Sequence, residues 1–350
     1  MTFTKTFTVA TSLILPLSGF AQAEVKKKAA PPKVVLAAPY SATPEIEAFA
    51  SETAALHQLD ADSIRAALLQ ARKQPSVQRA IMPAATGTKK NWRVYRSRFI
   101  DPVRIQAGVQ FWNANEEALK RAADVYGVPE SIIVGIIGVE TIYGRNMGSY
   151  RVIDALATLT FDFPTGRSDR SPYFREQLAY FFAWCAKEGY DPLSIRGSYA
   201  GAIGIPQFMP ESILKFATDF DADNHINLTE SAADAIGSVA KYLERHGWVR
   251  DLVPALRIQL DRANLQTLLE PDITPTFTGQ QLLDYGVELK DQLPAGEKFA
   301  VVELQNGEAR SDYILGTQNF YAITRYNRSS YYAMSVVDLA TAIEAARANR

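Results

Sequence analysis

"YGVPESIIVGIIGVETIYGRNMG", residues 126–148, is the stretch on which the fold depends. Gly127 ends one helix and Pro129 stands just beyond it, so the chain turns there. The following "SIIVGIIGVE" is almost purely apolar until it stops on Glu140. A helix apolar on every side belongs inside a protein, and a charge at its end is costly to bury. Desolvation disfavours an ionised carboxyl and raises its pKa. The result is a proton donor near neutral pH, which is what cleavage of a glycosidic bond requires. The structural alternative is a helix-end ion pair of Glu140 with Arg145 or Arg151.

Two helices are expected between Pro44 and about Gln74. Ile46, Phe49, Thr53 and Leu56 share one face; Ile64, Ala67, Leu68 and Ala71 share another, with Asp62 or Ser63 as cap. A single helix is expected from about Val103 to Tyr126. After Pro192 come a glycine-rich loop, a short helix in "SILKFATDF", an acidic loop, and a helix in "ESAADAIGSVAKYLERHGW". In that last helix Ala232, Ala235, Ile236, Val239, Ala240 and Leu243 fall on one face. Past Val249 short β-rich runs appear, with Asn306-Gly307 as a hairpin turn. "SVVDLATAIEAARAN" closes the chain as a helix. The pattern is α+β and mainly α, with one small β-containing region.

Two loops carry chemistry. In "RGSYAGAIGIPQFMPES" the glycines 197, 201 and 204 let backbone approach a ligand, while Ser198 and Gln207 offer hydrogen bonds and Tyr199 and Phe208 a stacking surface. No Gly-Lys-Ser/Thr follows, so this is no phosphate loop. In "DFDADNHINLTESAAD", Asp219, Asp221 and Asp223 take positions 1, 3 and 5 of an EF-hand-like loop. His225 offers its carbonyl at position 7, and Glu230 stands at position 12. Asn224 replaces the usual glycine and tolerates positive φ. A structural calcium ion is expected there.

The net charge of −1 gives no footprint for nucleic acid. One cysteine and three histidines exclude an internal disulfide and argue against a Cys/His zinc cluster. The N-terminus has a basic start at Lys5, an apolar stretch from Phe7 to Phe20, and "AQA" at 21–23. That pattern predicts a cleaved signal peptide, residues 1–23, followed by a Lys-, Pro- and Ala-rich tether, 24–44. No cysteine follows the apolar stretch. The expectation is therefore a periplasmic protein with no lipid anchor and no stable membrane anchor.

Several blocks together resemble the lytic murein transglycosylase B family of bacterial cell-wall enzymes. They are "YGVPESIIVGIIGVETIYGRNMG", "DALATLTFDFP", "GSYAGAIGIPQFMPES", "DFDADNHINL", "DAIGSVAKYLERHGW" and "ITRYNRSSYYAMSV", in the family's order from about Trp92 onward. The resemblance implies a goose-lysozyme-like core, residues 131–250, carrying the calcium loop at 219–234. It further implies an N-terminal helical region at 45–130, a small β-containing domain at 251–318, and a C-terminal segment, 319–350, returning to the core. The implied substrate is peptidoglycan, cut at the β-1,4 bond between N-acetylmuramic acid and N-acetylglucosamine to leave a 1,6-anhydro ring, with no cofactor for catalysis. By position, Glu140 matches the catalytic acid/base. Ser198, Gln207, Tyr95, Tyr173, Tyr242, Tyr326, Asn327 and Tyr332 match substrate-site residues. The longer "TGRSDRSP" leaves Arg170 or Arg167 as the substrate arginine, and an extra residue in the acidic loop leaves Glu230 or Asp234 to close the calcium shell.

Ordinary glycosidases use a second carboxylate. A hydrolytic lysozyme would draw it from Asp154, Asp162 or Asp191. The rival from another class is a calcium-stabilised glycan-binding protein without catalysis.

Overall fold

The helix Glu130–Thr141 is the axis about which the rest is arranged, and every residue from Ser131 to Val139 is buried. It packs against Ser330–Ala348, Pro102–Ala114, Glu116–Tyr126 and Ala232–Arg245. Gly135 lies where an added Cβ would stand 2.8 Å from the Val336 carbonyl oxygen, so only glycine lets the two helices approach so closely. Each Ile or Val buried on this axis contributes about 1.5–3 kcal/mol, which is how the core tolerates one carboxyl at its edge. The computed structural model describes residues 37–83, 87, 89–260, 263–289 and 293–349. The expected signal peptide and the tether up to residue 36 lie outside the described residues. No single described helix is long and apolar enough to cross a membrane.

Pro44–His57 and Ala61–Leu68 form as expected, with two corrections. Leu56 is 73% exposed and does not join Ile46, Phe49 and Thr53. The cap of the second helix is Asp60, whose carboxylate accepts the Ser63 amide at 2.8 Å. The single helix expected from Val103 to Tyr126 is two, Pro102–Ala114 and Glu116–Tyr126, broken at Asn115. There the Asn115 side-chain amide donates to the Phe111 carbonyl at 2.8 Å, which also accepts the Asn115 backbone amide at 3.1 Å. Gly127, at φ 72°, ends the second as expected. Val152–Phe161 and the eighteen-residue Ser171–Glu188, neither of them expected from apolar spacing, complete the helical body.

A five-stranded antiparallel sheet runs in the order Phe277–Thr278, Lys298–Asn306, Ala309–Gly316, Ala255–Leu260, Val287–Glu288. Its hairpin turns at Gly307, φ 66°, where Asn-Gly was expected. One face has its own small core around Leu268, Leu282, Phe299 and Leu315. The short helix Trp92–Arg96 joins sheet to helices. Asn306 Oδ1 accepts the Arg93 amide at 3.2 Å, and Arg96 Nε donates to Asp338 of the C-terminal helix at 2.5 Å.

Candidate active site

Glu140 is the penultimate residue of the axial helix. The chain then turns sharply through consecutive left-handed residues, Ile142 (φ 52°), Tyr143 (φ 59°) and Gly144 (φ 83°). Left-handed backbone is costly for a β-branched residue and persists only where surroundings over-determine it. Thr141 is the determinant. Its buried hydroxyl donates to the Ile205 carbonyl at 2.8 Å and accepts the Gly144 amide at 3.0 Å. Sequence reasoning missed Thr141; the available signal was a hydroxyl directly after the charge that ends an apolar helix.

The Glu140 carboxyl accepts a hydrogen bond from the Tyr332 hydroxyl, Oε1 to Oη 2.5 Å. Burial raises its pKa from 4.5 to about 7, and the Tyr332 bond pulls the other way with smaller effect. The phenols of Tyr332 and Tyr326 are pushed well above their ordinary range, first by burial and then by the Glu140 charge. Tyr95 is raised by the same two causes, burial first and then the Glu140 charge. Tyr326 stacks on Tyr332 with ring centroids 6.5 Å apart, and its hydroxyl donates to the Pro206 carbonyl at 2.8 Å. Neither Arg145 nor Arg151 pairs with Glu140; Arg151 pairs with Asp154 instead.

The glycine-rich loop is tied to the same turn. Gln207 Nε2 donates to the carbonyls of Met147 (3.1 Å) and Gly204 (2.9 Å). Gly148 approaches Gly197 so closely that a Cβ would stand 2.2 Å from its carbonyl oxygen. Ser198 Oγ accepts the Ala202 amide at 3.0 Å, leaving its own proton to donate. Tyr199 and Asn327 are exposed, and Tyr173 is half-buried beneath the Arg170 guanidinium, 4.9 Å from its ring centroid. Arg167 turns away, donating to the Ile81 carbonyl.

Two expected contact residues are corrected. Phe208, 2% exposed, packs on Tyr242 and Tyr326. Tyr242 is also buried, stacked on His246, with its hydroxyl donated to the Arg325 carbonyl at 2.7 Å. Both support the Tyr326 ring from behind and present no open face to a sugar.

The three candidate second carboxylates are all engaged elsewhere. Asp154 accepts from the Arg72 amide and Arg151. Asp162 accepts from Tyr40 and Lys73. Asp191 accepts the Leu193 amide. No carboxylate contributes to the Glu140 shift.

In the acidic loop, carboxylate oxygens of Asp219, Asp221 and Asp223 lie within 4.8 Å of one another. Among the described residues no Lys or Arg pairs with them. Asn224, φ 69°, makes the turn where glycine was expected. Converging carboxylate oxygens on a short loop suit a hard cation of calcium's size. Asp234 stands apart from the cluster: its two oxygens accept the amides of Phe220 and Asn227, each at 2.7 Å, so it fastens the loop. Glu230 is exposed and accepts the Asn227 side-chain amide at 3.4 Å. The His225 ring contacts the Tyr190 hydroxyl through Nε2 at 2.7 Å, with Nδ1 3.8 Å from Glu188, and does not belong to the carboxylate cluster.

The chain matches the family described as transglycosylase SLT domain over residues 41–341. Membrane-bound lytic murein transglycosylase B of Escherichia coli is 41% identical over 88% of this chain and 85% of its own. The crystal structure of soluble lytic transglycosylase SltB1 from Pseudomonas aeruginosa is 41% identical, with a TM-score of 0.80, covering 87% of this chain and 100% of that one. Lytic transglycosylase Slt35 of Escherichia coli in complex with calcium is 39% identical, with a TM-score of 0.77, covering 89% of this chain and 96% of that one. These likenesses correct one expectation. A relative of this identity is membrane-bound by name, so the reading of a periplasmic protein without a lipid or membrane anchor, made from a missing cysteine, does not stand.

Proposed function

The chain belongs to the lytic murein transglycosylase family, with its lysozyme-like fold, and from that membership we propose how this peptidoglycan-cleaving lyase works. Glu140, protonated near neutral pH, gives its proton to the glycosidic oxygen between N-acetylmuramic acid and N-acetylglucosamine. The C1–O bond breaks and the N-acetylglucosamine side leaves with that proton. The Glu140 carboxylate then takes the proton of the muramyl O6 hydroxyl, and O6 closes on C1 to form the 1,6-anhydro ring. The nucleophile belongs to the substrate, so one carboxyl serves both steps. Tyr332 holds Oε1, which leaves the other oxygen to carry the proton. Ser198, whose hydroxyl proton is free to donate, or the exposed Asn327 binds the N-acetyl group, and Tyr95, Tyr173, Tyr199, Tyr326 and Arg170 line the saccharide path.

The single observation that carries this reading is a carboxyl at the end of an apolar helix, pushed up to about 7 by burial, with no second carboxylate beside it among the described residues. A hydrolytic lysozyme is disfavoured on the same ground. The test is a digest of purified peptidoglycan read by mass spectrometry. Anhydro-muropeptides are expected; reducing ends alone would overturn the mechanism.

Tyr332→Phe removes a bond to the ionised form, so the Glu140 pKa should rise further. Activity needs the protonated acid at the outset, so it falls off above that pKa. The alkaline limb of the pH–rate profile should therefore move to higher pH in the variant. An unmoved or acid-shifted limb would show that Tyr332 does not set the acid.

We propose that Asp219, Asp221 and Asp223, with the His225 carbonyl, hold a structural calcium ion with no part in the chemistry. We propose that residues 251–318 form a small β domain, with one face of its sheet on its own core and the other, through Ala300, Val302, Leu304 and Ile314, on the main core.

A further inference from the structure

The sheet carries a groove of about 290 Å³ that the lysis reaction does not use. Three guanidinium groups line it, from Arg93, Arg257 and Arg310. Arg257 is committed to Asp338, at 3.1 Å, and Asp338 also holds Arg96 at 2.5 Å. Arg93 and Arg310 are exposed, and among the described residues neither side chain has a hydrogen bond or an ion pair. Asp312, the one acid on the wall, already accepts the Asn306 side-chain amide at 3.2 Å. Four guanidinium groups thus meet two carboxylates, and the excess positive charge sits on the two unpaired ones. Guanidinium forks bind carboxylates bidentately, which gives such a pair geometric selectivity as well as charge.

The position matters as much as the charge. Arg93 and Tyr95 share one five-residue helix, and Tyr95 packs edge-on against Tyr331, ring centroids 5.6 Å apart, next in sequence to the Tyr332 that holds Glu140. A glycan seated at Glu140 therefore passes one side of this helix while the groove opens on another. Peptide stems leave the glycan from the muramyl lactyl groups and bear free carboxylates.

Building on the peptidoglycan reading, we propose that the groove between Arg93 and Arg310 binds a carboxylate of the peptide stem, so that the β domain recognises the peptide while the helical core cuts the sugar.

The probes are two small ligands that end on muramic acid and so contain no cleavable bond: the N-acetylglucosaminyl-muramyl disaccharide with a tetrapeptide stem, and the same disaccharide without it. Calorimetry on the full chain should show the stem-bearing ligand binding about tenfold more tightly, the value of one charge-assisted pair. Arg93→Gln/Arg310→Gln should bring that ratio close to one, with unchanged affinity for the stem-free ligand and unchanged digestion of glycan stripped of peptide. Both side chains are exposed, so the melting temperature should hold; Arg310→Glu alone should lower the ratio in the same direction. A variant that keeps the full stem preference overturns the proposal. So does one that keeps it while losing binding to vesicles of anionic phospholipid, which would make the groove a membrane contact. Failure of the wild type to release anhydro ends would instead strike the lytic reading, because the stem preference is read from binding alone.

Discussion

Replacing Glu140 with glutamine is expected to abolish lysis and at the same time to stabilise the protein above pH 7. Glutamine nearly matches glutamate in shape but cannot donate and then accept a proton. General acid–base help is worth about 10² to 10⁴-fold. In the proposed mechanism one group performs both transfers, so the loss should reach the upper end of that range. The rate of anhydro-muropeptide release is the measurement, and turnover within a few-fold of wild type would remove Glu140 from the mechanism. Stability should move the other way. The unfolded chain ionises this carboxyl near 4.5, and the folded chain only near 7. Below about pH 4.5 both are protonated and the substitution is neutral. Between those values the unfolded state ionises first, so wild-type stability falls as pH rises. Above the upper value the deficit is constant at roughly 3 kcal/mol, since each tenfold difference in acidity between the two states is worth about 1.4 kcal/mol. Glutamine does not ionise and avoids it. Melting curves at pH 4 and pH 8 should therefore coincide and diverge, respectively.

The second large effect is expected at the acidic loop. A ligand that binds only the native state adds RT ln(1 + [L]/Kd), about 2.7 kcal/mol at a hundredfold excess over Kd. Calcium should raise the melting temperature of the wild type, and chelation should reverse the rise. Asp219→Ala and Asp223→Ala should each abolish the calcium-dependent part. If both variants still gain stability from calcium, the ion sits elsewhere.

How far the residues themselves disclosed these sites depended on the range of the interaction. The partial burial of Glu140 was legible because it ends a continuous apolar run that belongs inside the protein. The convergence of Asp219, Asp221 and Asp223 was legible because alternate positions in a tight loop meet locally. The hairpin at Asn306-Gly307 was legible because few dipeptides accept that turn. The break at Asn115 was not, since apolar spacing continues across it and only a side-chain bond to Phe111 marks the end. Nor could spacing pair Tyr332 with Glu140 across 192 positions. Resemblance placed Tyr332 near the site, and packing alone gave the contact. Phe208 and Tyr242 show the opposite error, in which an aromatic close to the right motif points inward.

Ile205 is a pinned joint between two working parts. Its amide donates to Leu228 of the acidic loop at 2.8 Å, and its carbonyl receives the Thr141 hydroxyl beside Glu140, also at 2.8 Å. Asn227, one residue from Leu228, is anchored by Asp234. A short hydrogen-bonded path thus runs from the acidic loop to the turn that seats Glu140. That turn is held from two sides, by the helix that carries the carboxyl and, through Ile205, by the far end of this linkage.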